Sequence, residues 1–167
     1  VYDVVTQKKL FAATKPQIAG TYIITVPTPV KKPDFIPNMQ YVYEAVDEIL
    51  PLLTVGNLII IESTISVGTT EKVAEYIKLK RRDLKVPTKA TDEADIYIAH
   101  CPERVLPGKI LTELQTNDRI IGGVTTACGL AAKRLYESFV KSKVTLASSP
   151  KVAEMCKLVE NSYRDVN

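Results

Sequence analysis

Five short runs of β-branched and aliphatic residues recur along the chain: TYIITV at 21–26, LIIIES at 58–63, DIYIAH at 95–100, DRIIGG at 118–123 and KVTLA at 143–147. Most are continuously apolar rather than alternating, the pattern of strands covered on both faces. Between several of them the apolar positions switch to the helical period of about 3.6. Tyr41, Ala45, Val46, Ile49, Leu52 and Leu53 form one such stripe. Val73, Ile77 and the stem of Lys80 form a second, in a helix that Thr69 or Thr70 can cap. A third helix is predicted over 125–140, starting at Thr125–Thr126 and burying Leu130, Leu135 and Phe139.

Strands alternating with helices predict βαβ units and an α/β fold built on a mostly parallel sheet. Open sheets of this kind bind ligands beyond the carboxyl ends of their strands. Three loops then share one rim: VPTP (26–29), ESTISVGTT (62–70) and CPERVLPGK (101–109). The last segment differs. Ser149-Pro150 is a good N-cap and first-turn pair, and a helix is predicted from there to the last residue. Its expected apolar face is Val152, Met155, Cys156, Val159, Tyr163 and Val166. Glu154, Lys157, Asn161 and Arg164 fall at spacings of three and four and form one polar stripe. A solvated face is the default meaning of that stripe, although amine, amide and guanidinium together also suit an oxyanion or a sugar hydroxyl. The expected division is residues 1–147 as one α/β domain and 148–167 as the start of a second.

Composition narrows the class without naming a reaction. The chain of 167 residues is 46% hydrophobic and 25% charged, near the globular average. Its apolar runs fall far short of the ~20 residues that cross a bilayer, so no membrane role is expected. No secretory leader is visible, and the missing initiator Met suggests a chain that begins inside something larger. A net charge of +3 is too small to argue for nucleic acid, and KLKRR at 78–82 reads as a solvated helix end. Cys101, Cys128 and Cys156, with a single His, argue against zinc or a disulfide framework and for a cytoplasmic, reduced protein.

Neither a G-x-G-x-x-G turn nor a G-x-x-x-x-G-K-S/T loop occurs, and GGVTTACG at 122–129 reads as a helix entry. His100, at a strand end, is expected to be a hydrogen-bonded structural residue. Ser63-Thr64, with Gly68 following, could bind an anion or a nicotinamide amide, or simply cap a turn. In CPERVLPGK the thiol, carboxylate and guanidinium could be a nucleophile with an acid/base partner, or charges facing water. Residue chemistry alone leaves an α/β domain with a polar rim.

Taken in order, VPTP (26–29), ESTISVGTTEK (62–72), CPERVLPGK (101–109), NDRIIGG (117–123) and AEMCKLVENSYRDVN (153–167) resemble the UDP-glucose/GDP-mannose dehydrogenase family across essentially the whole chain. The best match is to its UDP-N-acetylmannosamine branch. The resemblance implies a Rossmann-like NAD domain followed by the start of a long central dimerisation helix, so a homo-oligomer is expected. It implies two NAD-dependent oxidations of the C6 hydroxyl of a UDP-sugar to a carboxylate, through a thioester on a Cys, for surface polysaccharide synthesis. By resemblance, Pro27, Thr28 and Pro29 contact NAD, and Ser63 and Thr64 lie beside the nicotinamide and an active-site water. Glu103 assists water attack on the thioester, and Lys157 and Asn161 stabilise the oxyanion. Arg104 and Arg164 are the expected substrate contacts.

UDP-glucose-type members often carry a second Glu four residues after the first; Pro107 stands there, which favours the acetylmannosamine branch. None of the three cysteines matches the family nucleophile. The expectation is an internal piece of such an enzyme, inactive alone, with no metal. The alternatives are a non-catalytic nucleotide or nucleotide-sugar binding module and an assembly piece.

Overall fold

Leu58–Ile61 are four consecutive aliphatic residues, all buried, because their strand has a partner on each edge and a helical layer on each face. The computed structural model around them describes residues 2–105 and 108–167. The meaning assigned to Pro107 therefore lies outside the described residues. In chain order the elements are α1 (Tyr2–Thr6), β1 (Thr21–Ile24), β2 (Val30–Lys31), β3 (Ile36–Pro37), α2 (Gln40–Ile49) and β4 (Leu58–Ile61). Then follow α3 (Thr69–Lys80), β5 (Tyr97–His100), α4 (Ile110–Thr116), β6 (Arg119–Gly123), α5 (Thr126–Glu137), β7 (Val144–Leu146) and α6 (Pro150–Val166). All five predicted strands form, in the order β1-β4-β5-β6-β7, and β2 and β3 make a separate small hairpin.

The sheet is mixed. β1, β4 and β5 run parallel in register, Thr21 beside Leu58 and Ile61 beside His100. β6 runs antiparallel to β5 through Ala99–Gly123 and His100–Gly122, and β7 runs parallel to β6. The connection from β5 to β6 explains the reversal. It contains only α4, a short helix with no buried residue, so it never crosses the sheet and the next strand re-enters from the same rim. That geometry brings the start of β6 to the ends of β1, β4 and β5.

Two apolar clusters cover the faces, one under α2 and α3 and the other under α5. The buried stripes differ from those predicted. α2 buries Val42, Val46 and Ile49 and leaves Tyr41 44% exposed. Leu52 lies in the 3-10 turn at Leu50–Leu52, where the helical period has ended, with Leu53 just beyond it. α5 starts where expected, with the Thr125 hydroxyl accepting from Cys128 N, but buries Cys128, Ala131, Ala132 and Tyr136. Leu130 and Phe139 point outward and Leu135 is half-buried.

Close approach explains this choice of small residues. A Cβ on Gly123 would stand 2.1 Å from Gly129 N, so helix and strand touch backbone to backbone. On α3 the N-cap is Gly68, at φ +89, with no side-chain cap; Thr69 and Thr70 lie inside the first turn. The basic cluster at its far end is not wholly solvated, since Arg81 donates to the carbonyls of Leu50 (2.5 Å) and Leu53 (2.9 Å).

Arg119 and His100 lie deep inside. Arg119 is 1% exposed, with its guanidinium 5.6 Å from the Tyr136 ring centroid, a cation–π contact that offsets part of its desolvation. His100 is fully buried, and among the described residues neither ring nitrogen has a hydrogen-bond partner, so the expected hydrogen-bonded role is not found. Burial pushes its pKa from 6.5 down to about 4; the Ile61 carbonyl opposes the shift without making a hydrogen bond of normal geometry.

Two outcomes are expected. Gly123→Ala should lower stability by about 1–3 kcal/mol or more, seen as a lower urea midpoint at unchanged slope, because neither backbone can yield. Gly20→Ala, with nothing within 4 Å of the new Cβ, should stay within about 0.5 kcal/mol of the parent. For His100 the folded state holds the neutral ring, so the unfolded chain binds the extra proton. Stability is then full above pH 6.5 and declines as pH falls toward about 4. The loss is on the order of 3 kcal/mol, at about 1.4 kcal/mol per pH unit. In His100→Leu the urea midpoint should fall less steeply across that window than in the parent chain.

Candidate functional site

The rim begins in the crevice between the ends of β1 and β4. Ser63 Oγ donates to the Val26 carbonyl (2.7 Å), and Thr28 Oγ1 donates to the Thr64 carbonyl (2.6 Å). Each loop thus supplies the donor for the other's backbone, which fixes VPTP against the start of ESTISVGTT. Pro27 and Pro29 are exposed, Ser63 is buried, and Thr28 and Thr64 are half-buried. The Thr64 hydroxyl has no hydrogen-bond partner among the described residues and is free to meet a ligand.

β5 leads into buried Cys101 and Pro102, and Glu103 N donates to the Glu62 carbonyl (3.4 Å), joining this loop to the residue before Ser63. Burial pushes the Cys101 thiol up to about 12, so it stays protonated and is not a nucleophile. The Glu103 carboxylate is half-buried and accepts from the amide of Val105.

α6 closes the rim, and its faces are the reverse of the default expectation. Ser149 and Pro150 start it as predicted. Its buried residues include Ala153, Glu154 and Lys157, and Asn161 is half-buried one turn further on. Met155, Val159 and Tyr163 are 49%, 59% and 70% exposed. The cause is what α6 packs against: uncapped amides and open carbonyls at loop ends, which need hydrogen bonds. Glu154 is 1% exposed; Oε2 accepts from Gly68 N (2.5 Å), and Oε1 accepts from Thr70 N (2.8 Å) and Thr70 Oγ1 (2.6 Å). Lys157 Nζ donates to the Glu103 carbonyl (2.6 Å). Burial lowers the Lys157 pKa, while the charges of Glu103 and Glu160 act the other way.

The two arginines meet through a residue that sequence reasoning missed. Arg104 Nη2 lies 2.8 Å and Arg164 Nη2 3.5 Å from Glu160 Oε1. Arg104 also donates to the Asp118 carbonyl, and Asn117 Nδ2 donates to the Arg104 carbonyl. Burial pushes the Glu160 carboxyl up, but the hydrogen bond and charge of Arg104 outweigh it and hold the group low. A groove of about 730 Å³ runs between α6 and the loops, lined by Val67, Pro102, Arg104, Met155, Lys157 and Tyr163 among others. Glu154 was visible only as part of the polar stripe. The signal that could have found its role is the lack of an Asp, Asn, Ser or Thr immediately before Thr69.

The predicted residues therefore gather into two touching sets. Thr28, Ser63 and Thr64, with the flanking prolines, offer hydroxyls and carbonyls and suit an uncharged carboxamide such as that of nicotinamide. Glu103, Lys157 and Asn161, with Arg104 and Arg164 beside them, offer a carboxylate, an amine, an amide and two guanidinium groups. Among the described residues no cluster of His, Cys, Asp and Glu could hold a metal ion.

Comparison with known proteins identifies the family. Residues 1–140 match the model of the UDP-glucose/GDP-mannose dehydrogenase family, NAD binding domain. A UDP-N-acetyl-D-mannosamine dehydrogenase of Yersinia pestis is 49% identical over 158 residues, covering 95% of this chain and 37% of the relative. An NDP-N-acetyl-D-galactosaminuronic acid dehydrogenase of Ralstonia solanacearum is 47% identical over 163 residues, covering 98% and 38%. The chain thus spans less than two fifths of these relatives' length. The solved UDP-N-acetyl-mannosamine dehydrogenase of Staphylococcus aureus superimposes with a TM-score of 0.87 at 43% identity, over 98% of this chain and 38% of that one. Matched by the family model over most of its length, and by relatives in both sequence and fold, this chain belongs to the UDP-glucose/GDP-mannose dehydrogenase family and is a piece of its NAD binding domain continued by α6.

Proposed function

We propose that the chain forms the nicotinamide side and the acid/base wall of an NAD-dependent dehydrogenase that oxidises the C6 hydroxyl of UDP-N-acetyl-D-mannosamine to a carboxylate. The observation that carries this reading is the 2.6 Å bond from Lys157 Nζ to the Glu103 carbonyl, which holds an amine of α6 beside the carboxylate loop. When bound, NAD supplies the hydride acceptor for each of the two oxidations. Pro27, Thr28, Pro29, Ser63 and Thr64 position the nicotinamide, and the free Thr64 hydroxyl also holds water. Lys157 and Asn161, one turn apart on the inward face, donate to the oxygen that develops charge. Glu103 orients and deprotonates the water of the hydrolytic step. Arg104 and Arg164, spaced by Glu160, keep donors free for the nucleotide sugar.

The choice of sugar rests on Pro107, which stands where UDP-glucose-type members of the family carry a second Glu. Residues 1–147 belong to the NAD domain in this reading, and 148–167 begin a central domain. The outward stripe of Met155, Val159 and Val166 supports a second statement, that the protein pairs with a copy of itself through this helix. Surface polysaccharide synthesis in the cytoplasm is the expected setting.

The isolated chain should bind NAD and UDP too weakly to detect by calorimetry and make no NADH from UDP-N-acetylmannosamine, since it holds no G-x-G-x-x-G turn and none of its cysteines matches the family nucleophile. Tight binding would favour a stand-alone nucleotide module. In a dehydrogenase containing this chain, Glu103→Gln should keep the first hydride transfer but slow steady-state turnover about a hundredfold or more, as stopped-flow NADH absorbance would show. Unchanged turnover would remove Glu103 from the mechanism.

A further inference from the structure

We infer that Glu154 is a positioning residue: its carboxylate, reaching from α6 to the N-terminus of α3, fixes the ligand-facing loop 62–67 and Lys157 in one frame. The inference rests on the functional reading above for its catalytic consequence, but the clamp itself is a matter of geometry.

The first turn of α3 supplies no cap of its own. Its N-cap is Gly68, which has no side chain, and no side-chain cap bond is made within the helix. The amides of Gly68 and Thr70 would be buried orphans without a partner from elsewhere. Glu154 provides it from 84 residues away, with both carboxylate oxygens engaged and three donors satisfied. A carboxylate at a helix N-terminus also meets the positive end of the macrodipole, in a place closed to water. A local Asp or Ser cap would have left loop and α6 independent. A cap sent from α6 ties them together.

The same helix face holds the second loop. Lys157 lies one turn beyond Glu154 and donates to the Glu103 carbonyl, so one stretch of α6 grips the ends of β4 and β5 at once. The helix itself cannot slide freely. A Cβ on Gly122 would fall 2.4 Å from the Ser149 carbonyl oxygen, so the start of α6 rests on the backbone of β6. The exposed pair Lys151–Glu71 (2.6 Å) flanks the clamp but is open to solvent and screened. Loop 62–67 contains Ser63 and Thr64. Moving Glu154 therefore moves the cofactor-side hydroxyls relative to the amine that faces the reacting oxygen.

The test begins on the 167-residue chain and needs no activity. Glu154→Gln preserves volume but turns an NH₂ toward one of the donors. With β4 amides still protected, exchange at the Gly68 and Thr70 amides should quicken by at least about tenfold. The Lys157 amine, followed by carbon-13 NMR of its terminal methylene, should titrate closer to its ordinary 10.5. If Glu154→Gln does not fold, Thr70→Val removes one donor, leaves the carboxylate in place, and should move both readouts the same way by a smaller amount.

In a dehydrogenase containing this chain, Glu154→Gln should lower kcat roughly tenfold or more, with the nucleotide-sugar KM changed by less than about threefold, a split that general loss of fold would not give. Folded variants with unchanged amide exchange and an unchanged Lys157 titration would overturn the clamp. Altered exchange with unchanged kcat would overturn its positioning role. Altered readouts in a protein that oxidises no UDP-sugar would sink the assigned reaction while leaving the clamp in place.

Discussion

Backbone groups that end inside a protein must find partners, and the carboxyl rim of this sheet concentrates them. The loop after β5 and the N-terminus of α3, which follows β4, both meet α6, each with amides or carbonyls that no ladder serves. The ends of β1 and β4 leave more such groups beside them. An unpaired buried group of this kind costs about 1–3 kcal/mol, comparable with a fifth of a small domain's net stability. The rim is therefore stitched by side chains: Ser63 and Thr28 across the first crevice, Glu154 onto α3, Lys157 onto the third loop. In the proposed reading, Thr28, Ser63 and Lys157 serve this folding problem and the ligand site together.

The antiparallel entry of β6 is the second condition. Had the chain crossed over the sheet after β5, the start of β6 would lie on the opposite rim. The short return through α4 instead places Asn117 and Asp118 against Arg104, and α6 against β6. The groove beside α6 owes its Ile120 wall to that reversal.

The strands were legible because continuous aliphatic runs have few other uses in a chain this polar. The helix faces were less so, for three separate reasons. In α2 the periodic stripe was extended through Pro51, where the helix had ended, and the phase drifted by one residue. In α5 large residues were assigned to the core, but Gly123 and Gly129 bring the backbones so close that only Gly and small side chains fit between them. In α6 polarity was taken as exposure, a rule that fails wherever the neighbouring surface consists of unsatisfied backbone. The residues named through motif resemblance come together along one rim. Their linkage through Glu154 to Gly68 and Thr70 and through Glu160 to Arg104 was invisible, because each joins residues tens of positions apart; only the Glu160–Arg164 pair lies within one helical turn.

Charge is divided along the rim in a way that suits the proposed hydride transfer between two unlike molecules. The β1/β4 crevice presents hydroxyls and carbonyls, an environment that neither attracts nor repels a ring whose charge changes during reaction. The β5/β6 side carries both signs, the carboxylates Glu103 and Glu160 among the cations Arg104, Lys157 and Arg164. Lys157 stands between the two, with burial drawing its amine toward the neutral state and two carboxylates holding it charged. Burial, aided by Arg104 and Arg164, prevails and lowers its pKa. In the proposed reading such an amine favours a developing negative oxygen strongly, because the new charge meets little competing solvent. The inferred Glu154 clamp one turn away keeps α6 at the depth this requires.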